Sequence, residues 1–265
     1  MLLAVLQGRA QTLEIGANLA AIDAAAGRAA TRGATVLLTP ELFPVGYAPL
    51  TVRAELDPAT LPGLAGRLAA IAERHGIALV YSLPAVRENG DWNISATLVD
   101  RSGAELLSYA KVHLFGPEEQ QAFAPADQPP AVVDFDGLRT SLLICYDVEF
   151  PEPVRAAVSR GAELLLVPTA LGHGYASVPQ VLLRARALES QLAIGYANHC
   201  GTEGGTRFGG GSIITGADGG VLAQAGSGEE LLFAQINRAE IHSARADVPY
   251  LSDRRPDLYG RWEGR

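Results

Sequence analysis

The chain has 265 residues, 48% of them hydrophobic and 19% charged, with a formal net charge of −8. That is enough apolar material for one large core, and the acidic balance argues against nucleic acid as a partner, because phosphate binding needs a basic surface. The two cysteines, Cys145 and Cys200, cannot build a disulfide framework, so a reducing, cytoplasmic setting is the simpler expectation.

The apolar stretch Met1 to Gln7 is short, without a basic region or a cleavage site, and reads as a first strand rather than a signal peptide. No apolar run reaches the roughly 18–20 residues of a membrane span. Leu13 to Arg32 is alanine-rich with apolar residues at helical spacing (Leu19, Ile22, Ala26, Ala29), and Asn18 is placed to cap that helix. Gly33 stops it, and Ala34 to Leu38 is the next buried strand. Prolines on either side of Glu41-Leu42-Phe43 force an irregular loop. A helix over Leu61–His75, closed by Gly76, and a strand over Ile77–Ser82 complete a β-α-β-α-β order, the signature of a mainly parallel, helix-covered sheet.

The rhythm then changes. Trp92–Val99 and Glu105–Leu114 read as a meander, and Ala131–Asp134 with Leu138–Ile144 as a hairpin. Between them, Gly116–Pro130 reads as an irregular acidic loop of the length that usually carries function. After Cys145 come a helix over Pro153–Arg160, a strand over Glu163–Val167, a helix over Val178–Ser190 and a strand over Leu192–Asn198. Short strands follow at Ser212–Thr215, Val221–Ala225 and Leu231–Ile236, then a helix over Arg238–Ala246. Residues 1–265 read as a single domain. The tail over 247–265 is polar with Tyr250, Tyr259 and Trp262, a composition that fits docking, for example on a second subunit.

Three reactive residues follow strands: Glu41, Lys111 and Cys145. Ligands of open sheets collect beyond the carboxyl ends of strands. If the three meet there, they supply a general base, a cation for a developing oxyanion and a thiol nucleophile, the parts needed for acyl transfer. A helix start after Cys145 would favour its thiolate. Taken singly, each has a plainer reading: Cys145 as a small buried hydrophobe, Glu41 and Lys111 as solvated loop residues. Of the five histidines, His113 would share a face with Lys111, His199 adjoins Cys200, His173 lies in a glycine-flanked loop, His242 in the last helix, and His75 looks exposed. No metal-ligand spacing, phosphate loop or Gly-x-Ser-x-Gly elbow occurs.

Pro40-Glu41-Leu42-Phe43-Pro44-Val45-Gly46-Tyr47, Tyr109-Ala110-Lys111-Val112-His113-Leu114-Phe115 and Cys145-Tyr146-Asp147-Val148-Glu149-Phe150-Pro151-Glu152 resemble the three signature blocks of the nitrilase superfamily, the carbon–nitrogen hydrolases. The similarity continues through Pro168-Thr169-Ala170, Arg184–Glu189, Tyr196–Gly201 and Gly211–Ile214, so it covers nearly the whole chain. The resemblance implies an α/β four-layer αββα sandwich that assembles as a homodimer or larger homo-oligomer, and the aromatic tail over 247–265 is expected to dock at that dimer interface. It also implies a Glu-Lys-Cys triad: Glu41 as base, Lys111 as oxyanion stabiliser, Cys145 as nucleophile. A second glutamate in the loop after the lysine block is a family feature, and Glu119 fits it, with Glu118 the adjacent alternative; its implied role is to hold Lys111 and position the substrate amide. The Tyr146 N–H would complete the oxyanion hole, with Thr169 and Ala170 on the pocket floor.

Cys145-Tyr146-Asp147 and the Gly116-Pro117-Glu118-Glu119 run resemble the amidase-type branches. The implied reaction is hydrolysis of a small aliphatic or amino-acid amide to acid and ammonia, without a cofactor or metal. An N-carbamoyl compound or a nitrile is the alternative substrate on the same triad. Tyr47 and Tyr146 would wall the pocket, and Glu149 would either cap a first turn or face a substrate amine. Asn198 is expected to satisfy backbone groups beside the site. Outside the enzyme class stand a catalytically dead binding protein on the same fold and a scaffolding role.

Overall fold

The computed structural model describes residues 1–262 and Gly264. In chain order it contains β1 (Leu2–Gln7), α1 (Ile15–Thr31), β2 (Val36–Leu38), α2 (Pro49–Glu55), α3 (Leu61–His75), β3 (Ala78–Val86), β4 (Trp92–Val99), β5 (Glu105–Ala110), α4 (Gly116–Ala122), β6 (Val132–Phe135), β7 (Leu138–Leu142), α5 (Pro151–Ser159), β8 (Leu164–Pro168), α6 (Leu183–Ser190) and β9 (Ala193–Ala197). A small hairpin, β10 (Thr202–Glu203) and β11 (Thr206–Arg207), leads to β12 (Ile213–Thr215), β13 (Val221–Gln224), β14 (Glu230–Gln235), α7 (Arg238–Asp247), α8 (Tyr250–Asp253) and α9 (Pro256–Trp262).

The long strands form two six-stranded sheets, ordered β14-β1-β2-β3-β4-β5 and β13-β12-β9-β8-β7-β6. Each has three parallel central strands, β1-β2-β3 or β7-β8-β9, flanked by antiparallel ones. The parallel strands are apolar runs covered on both faces, as their connections through helices require. Helices α1 and α3 pack on the first sheet and α6 on the second, with α5 against α6, and the sheets meet through β1 against β9, β2 and β3 against β8, and β5 against β7. The result is a four-layer αββα sandwich. The sheets approach closely at Gly195: a Cβ there would sit 2.8 Å from Leu3 Cδ2 and 3.2 Å from Leu166 Cδ2. Leu3, Leu38 and Leu166 are fully buried in this seam.

Several local expectations need correction. Asn18 is not the cap of α1; it lies inside the helix, buried. Its Oδ1 accepts from Gln11 N at 2.8 Å, and its Nδ2 donates to Gln11 O and to Pro44 O at 2.8 and 3.3 Å. It therefore ties the β1–α1 loop to the loop that carries Glu41. The acidic stretch after Leu114 is not wholly irregular, because Pro117 opens the short helix α4. Helix α2, also begun by a proline, was hidden by its short length. The segment Val178–Leu182 is a π-turn leading into α6 rather than regular helix. His75 is half-buried and bonded to Asp23 at 2.8 Å. Gly76 closes α3 as expected, at φ +62°.

Beyond β14, α7 is clamped to the second sheet's helix side. Gln191 Nε2 donates to Ala244 O and Val248 O, each at 2.6 Å, and Arg238 and His242 donate to Glu163 at 2.9 and 2.8 Å. In the tail, Tyr250, Arg254 and Tyr259 line a surface cavity with Glu152, Arg155 and Glu189. Glu263 and Arg265 of that tail lie outside the described residues.

Candidate active site

Glu41, Lys111 and Cys145 come together at one end of the seam between the sheets. Glu41 follows β2 by way of Thr39 and Pro40, in a loop pinned across the seam by Glu41 N donating to Thr169 O at 3.2 Å. The next residue, Leu42, has φ +51°. Lys111 follows β5 directly. Cys145 follows β7 by way of Leu143 and Ile144, and begins a 3-10 turn over Cys145–Glu149. Its φ is +46°, a left-handed conformation that costs a non-glycine residue about 1–2 kcal/mol. The helix α5 begins only at Pro151, so the segment that directly follows Cys145 is this short 3-10 turn and not the α-helix start expected.

Lys111 is fully buried and paired on two sides: Nζ lies 2.8 Å from Glu41 Oε1, and 2.7 and 2.8 Å from the two carboxylate oxygens of Glu119. This settles which of the adjacent glutamates faces Lys111. Glu119 is buried, whereas Glu118 is exposed. Glu119 also accepts from Phe115 N at 2.8 Å and from the Tyr47 hydroxyl at 2.5 Å. Tyr47 thus reaches the cluster through Glu119.

Burial dominates the electrostatics. It lifts the Glu41 carboxyl to about 7; Lys111 opposes that rise and Glu119 adds to it. Burial would discharge Lys111, but Glu41 and Glu119 outweigh it and keep the ammonium firmly charged. The Cys145 thiol is pushed well above its ordinary value by burial and then by Glu41, with Lys111 and the Ala170 backbone amide pulling the other way. The resting sulfur is therefore a thiol, not the thiolate expected from a helix start. Glu41 Oε2 has no partner in good hydrogen-bond geometry, although the neighbouring thiol acts on Glu41 as a donor would. A carboxyl poised near neutrality, with one oxygen unengaged beside a protonated thiol, is set up to take its proton.

Thr169 and Ala170 follow β8 and are buried beside Cys145. Tyr146 is half-buried and sits edge-on to Phe115 and Phe150, with ring centroids 5.3 and 4.9 Å away. Glu149 is half-buried, its carboxyl raised by burial and lowered by Lys111 and Arg186. Arg186 donates to the backbone oxygens of Val148 and Glu149 at 3.2 and 2.6 Å. Asn198 does satisfy backbone groups: it accepts from Leu171 N at 2.7 Å and donates to Leu171 O and Gly210 O at 3.2 and 2.7 Å. Among the described residues, no group of three or more His, Cys, Asp or Glu side chains could hold a metal ion, and no helix is long and apolar enough to cross a membrane.

Two residues of the site went unassigned at the level of sequence. His199 is fully buried, with Nε2 at 2.6 Å from the Glu41 carbonyl oxygen. Its place beside Cys200 gave no hint of this, because the contact spans 158 positions. Tyr196 is the other: its hydroxyl and that of Thr169 are buried neighbours, neither with a partner in good geometry, and the Tyr196 phenol is pushed up by burial and then by Cys145. Its position in an apolar strand reads simply as core.

The carbon–nitrogen hydrolase family model matches residues 2–246. The chain belongs to this family. An amidase from Nesterenkonia sp. AN1 superposes with a TM-score of 0.93 at 46% identity, covering 99% of this chain and 97% of the other, in a double mutant complexed with acrylamide. Another structure of that amidase shows covalent addition of the acetamide moiety of fluoroacetamide at the active site cysteine. A 2-oxoglutaramate amidase of Bacillus subtilis is 32% identical over 86% of this chain and 88% of its own. An (R)-stereoselective amidase of a Pseudomonas species is 36% identical over 76% of this chain and 78% of its own. Membership makes this carbon–nitrogen hydrolase an enzyme of the nitrilase superfamily, and its αββα sandwich is the fold of those amidases.

Proposed function

We propose that this carbon–nitrogen hydrolase is a cysteine-dependent amidase, converting a small carboxamide to its carboxylic acid and ammonia through a thioester. The reading is carried by one observation: buried Lys111 is held between Glu41 and Glu119 while the second oxygen of Glu41 is left unengaged beside Cys145. Relatives named as amidases, one with an adduct at its active site cysteine, support it.

In this mechanism Glu41 takes the Cys145 proton as sulfur attacks the amide carbon. The S–C bond forms, the carbonyl π electrons move to oxygen, and Lys111 with the Tyr146 backbone N–H stabilises that oxyanion. Collapse breaks the C–N bond, and Glu41 returns its proton to the departing ammonia. Water then gives a proton to Glu41 and attacks the thioester. Collapse releases the acid, and the sulfur regains its proton. Glu119 keeps Lys111 charged and in place throughout.

For the substrate, Tyr146 and its ring neighbours offer an apolar wall, and the Glu149 carboxyl offers a partner for an amino group. Both fit an aliphatic or amino-acid amide. The same reading includes a homodimer in solution, supported by the exposed apolar side chains Val248, Tyr250 and Trp262 of the tail; a monomer in sedimentation would count against that part.

The deciding experiment is ammonia release from a panel of aliphatic amides, amino-acid amides, N-carbamoyl amino acids and nitriles. The expected result is fastest turnover of an amide, abolished in Cys145→Ala. Turnover led by a carbamoyl compound or nitrile, or persisting in Cys145→Ala, would overturn the reading.

A further inference from the structure

As β5 runs out, Tyr109, Lys111 and His113 occupy alternate positions. Lys111 turns into the catalytic cluster, and the residues on either side of it both reach Asp147, two positions past Cys145. Tyr109 donates its hydroxyl to Asp147 Oδ2 at 2.9 Å. The His113 backbone N–H donates to Oδ1 at 2.8 Å, and His113 Nδ1 lies at the same 2.8 Å from Oδ1. Asp147 is fully buried. Its own N–H donates to Ile144 O at 3.0 Å, closing the turn in which Cys145 takes its left-handed conformation. The His113 ring stacks on Phe150, at the far end of that turn, with centroids 4.2 Å apart.

Lys111's own ion pairs do not reach the Cys145 turn. Glu41 lies on the loop after β2 and Glu119 on α4; Glu41 does cross the seam through its backbone, to Thr169 O after β8 and to His199 after β9, but neither bond touches the turn over Cys145–Glu149. Asp147 is the polar link that runs from the Lys111 segment to the Cys145 turn of the second sheet. A carboxylate is suited to the place because three donors converge on it. A carboxamide would accept on one oxygen only and present an N–H₂ to one of them. We propose that Asp147 is a positioning residue that sets the Lys111–Cys145 separation through Tyr109 and His113. The proposal rests on the amidase reading for the roles of Lys111 and Cys145.

The test compares wild type, Tyr109→Phe, Asp147→Asn and the double variant. It reads kcat, KM, thermal midpoint and the rate of Cys145 alkylation by iodoacetamide. Misplacement of a catalytic group by about 1 Å costs up to ~100-fold in rate. We expect kcat to fall roughly 10- to 100-fold in each single variant, with KM nearly unchanged and alkylation slowed in parallel. The double variant should lose less than the product of the two, because both changes loosen one link. Multiplicative losses, a loss confined to KM, or a kcat that merely follows the thermal midpoint would overturn the proposal. If Asp147→Asn does not fold, Tyr109→Phe decides the matter alone by the same kcat, KM and alkylation criteria. A wild-type protein that turns over no amide would sink the amidase reading instead, and the alkylation rates would still report on the link.

Discussion

His199 Nε2 lies 2.6 Å from the backbone carbonyl oxygen of Glu41, joining the end of β9 to the loop after β2. The contact makes Nε2 the protonated nitrogen and leaves buried Nδ1 without a hydrogen bond, the Glu203 carboxylate standing 3.8 Å away. Burial lowers the imidazole to about 4. Between that value and the unfolded value near 6.5, the unfolded chain binds the extra proton, so stability falls as pH drops through this window. The full effect is of order 3 kcal/mol. Glu41 carries the opposite slope: its raised carboxyl stabilises the fold below about 4.5, and that contribution is lost as pH rises through about 7. The comparison is therefore made in Glu41→Gln. Urea midpoints of that variant should fall from pH 7 to pH 4 more steeply than those of Glu41→Gln with His199→Asn, and parallel slopes would contradict the assignment.

Activity should show an acid limb. Glu41 must be ionised to take the thiol proton, and its carboxyl stands at about 7. We expect kcat/KM to fall tenfold per unit of pH below about 7, with an apparent value that belongs to the coupled cluster rather than to one residue. A profile flat from pH 5 to pH 8 would exclude Glu41 as the base.

The partners of Lys111 give a further test of sign. The Glu119 charge helps to raise Glu41, so Glu119→Gln should move the acid limb to lower pH while reducing kcat. Tyr47→Phe, which removes one hydrogen bond to Glu119 and no charge, should reduce kcat by no more than roughly 10- to 100-fold, a bond to a charged group contributing about 1.5–3 kcal/mol at most. Its limb should stay in place. A limb that moves in Tyr47→Phe and not in Glu119→Gln would reverse the argument.

The seam between the sheets sets a packing limit. Gly195→Ala would place its Cβ 2.8 Å from Leu3 Cδ2, where no void exists to receive it. Overpacking of this kind costs about 1–3 kcal/mol, so thermal melts should show a midpoint lower by several degrees. Gly63→Ala in α3, where a Cβ meets nothing within 4 Å, is the control and should raise the midpoint slightly.

Much of this was legible in the sequence because it is periodic or local. Apolar runs such as Leu164–Val167 name a strand buried on both faces, and Leu61–His75 with Gly76 names a helix and its stop. Glu41, Lys111 and Cys145 stood out as reactive residues at strand ends, but their meeting came from the resemblance, since no local rule brings together positions 41, 111 and 145. Glu119 over Glu118 needed the structure, because one step along a helix turns a side chain by about 100° from buried to exposed. The protonated state of Cys145 and the bond from His199 to Glu41 also lay beyond reach, being properties of a closed seam and not of any segment. Asn18 shows the opposite failure: a residue type favoured at helix caps was used inside the helix to tie two loops together.

Glu41 and Lys111 leave one sheet and Cys145 leaves the other. Neither sheet carries the nucleophile and its base together, so a half-formed molecule with intact secondary structure has no working thiol. Regain of catalysis on refolding therefore reports docking of the two halves, and it should lag behind the return of the far-ultraviolet helical signal.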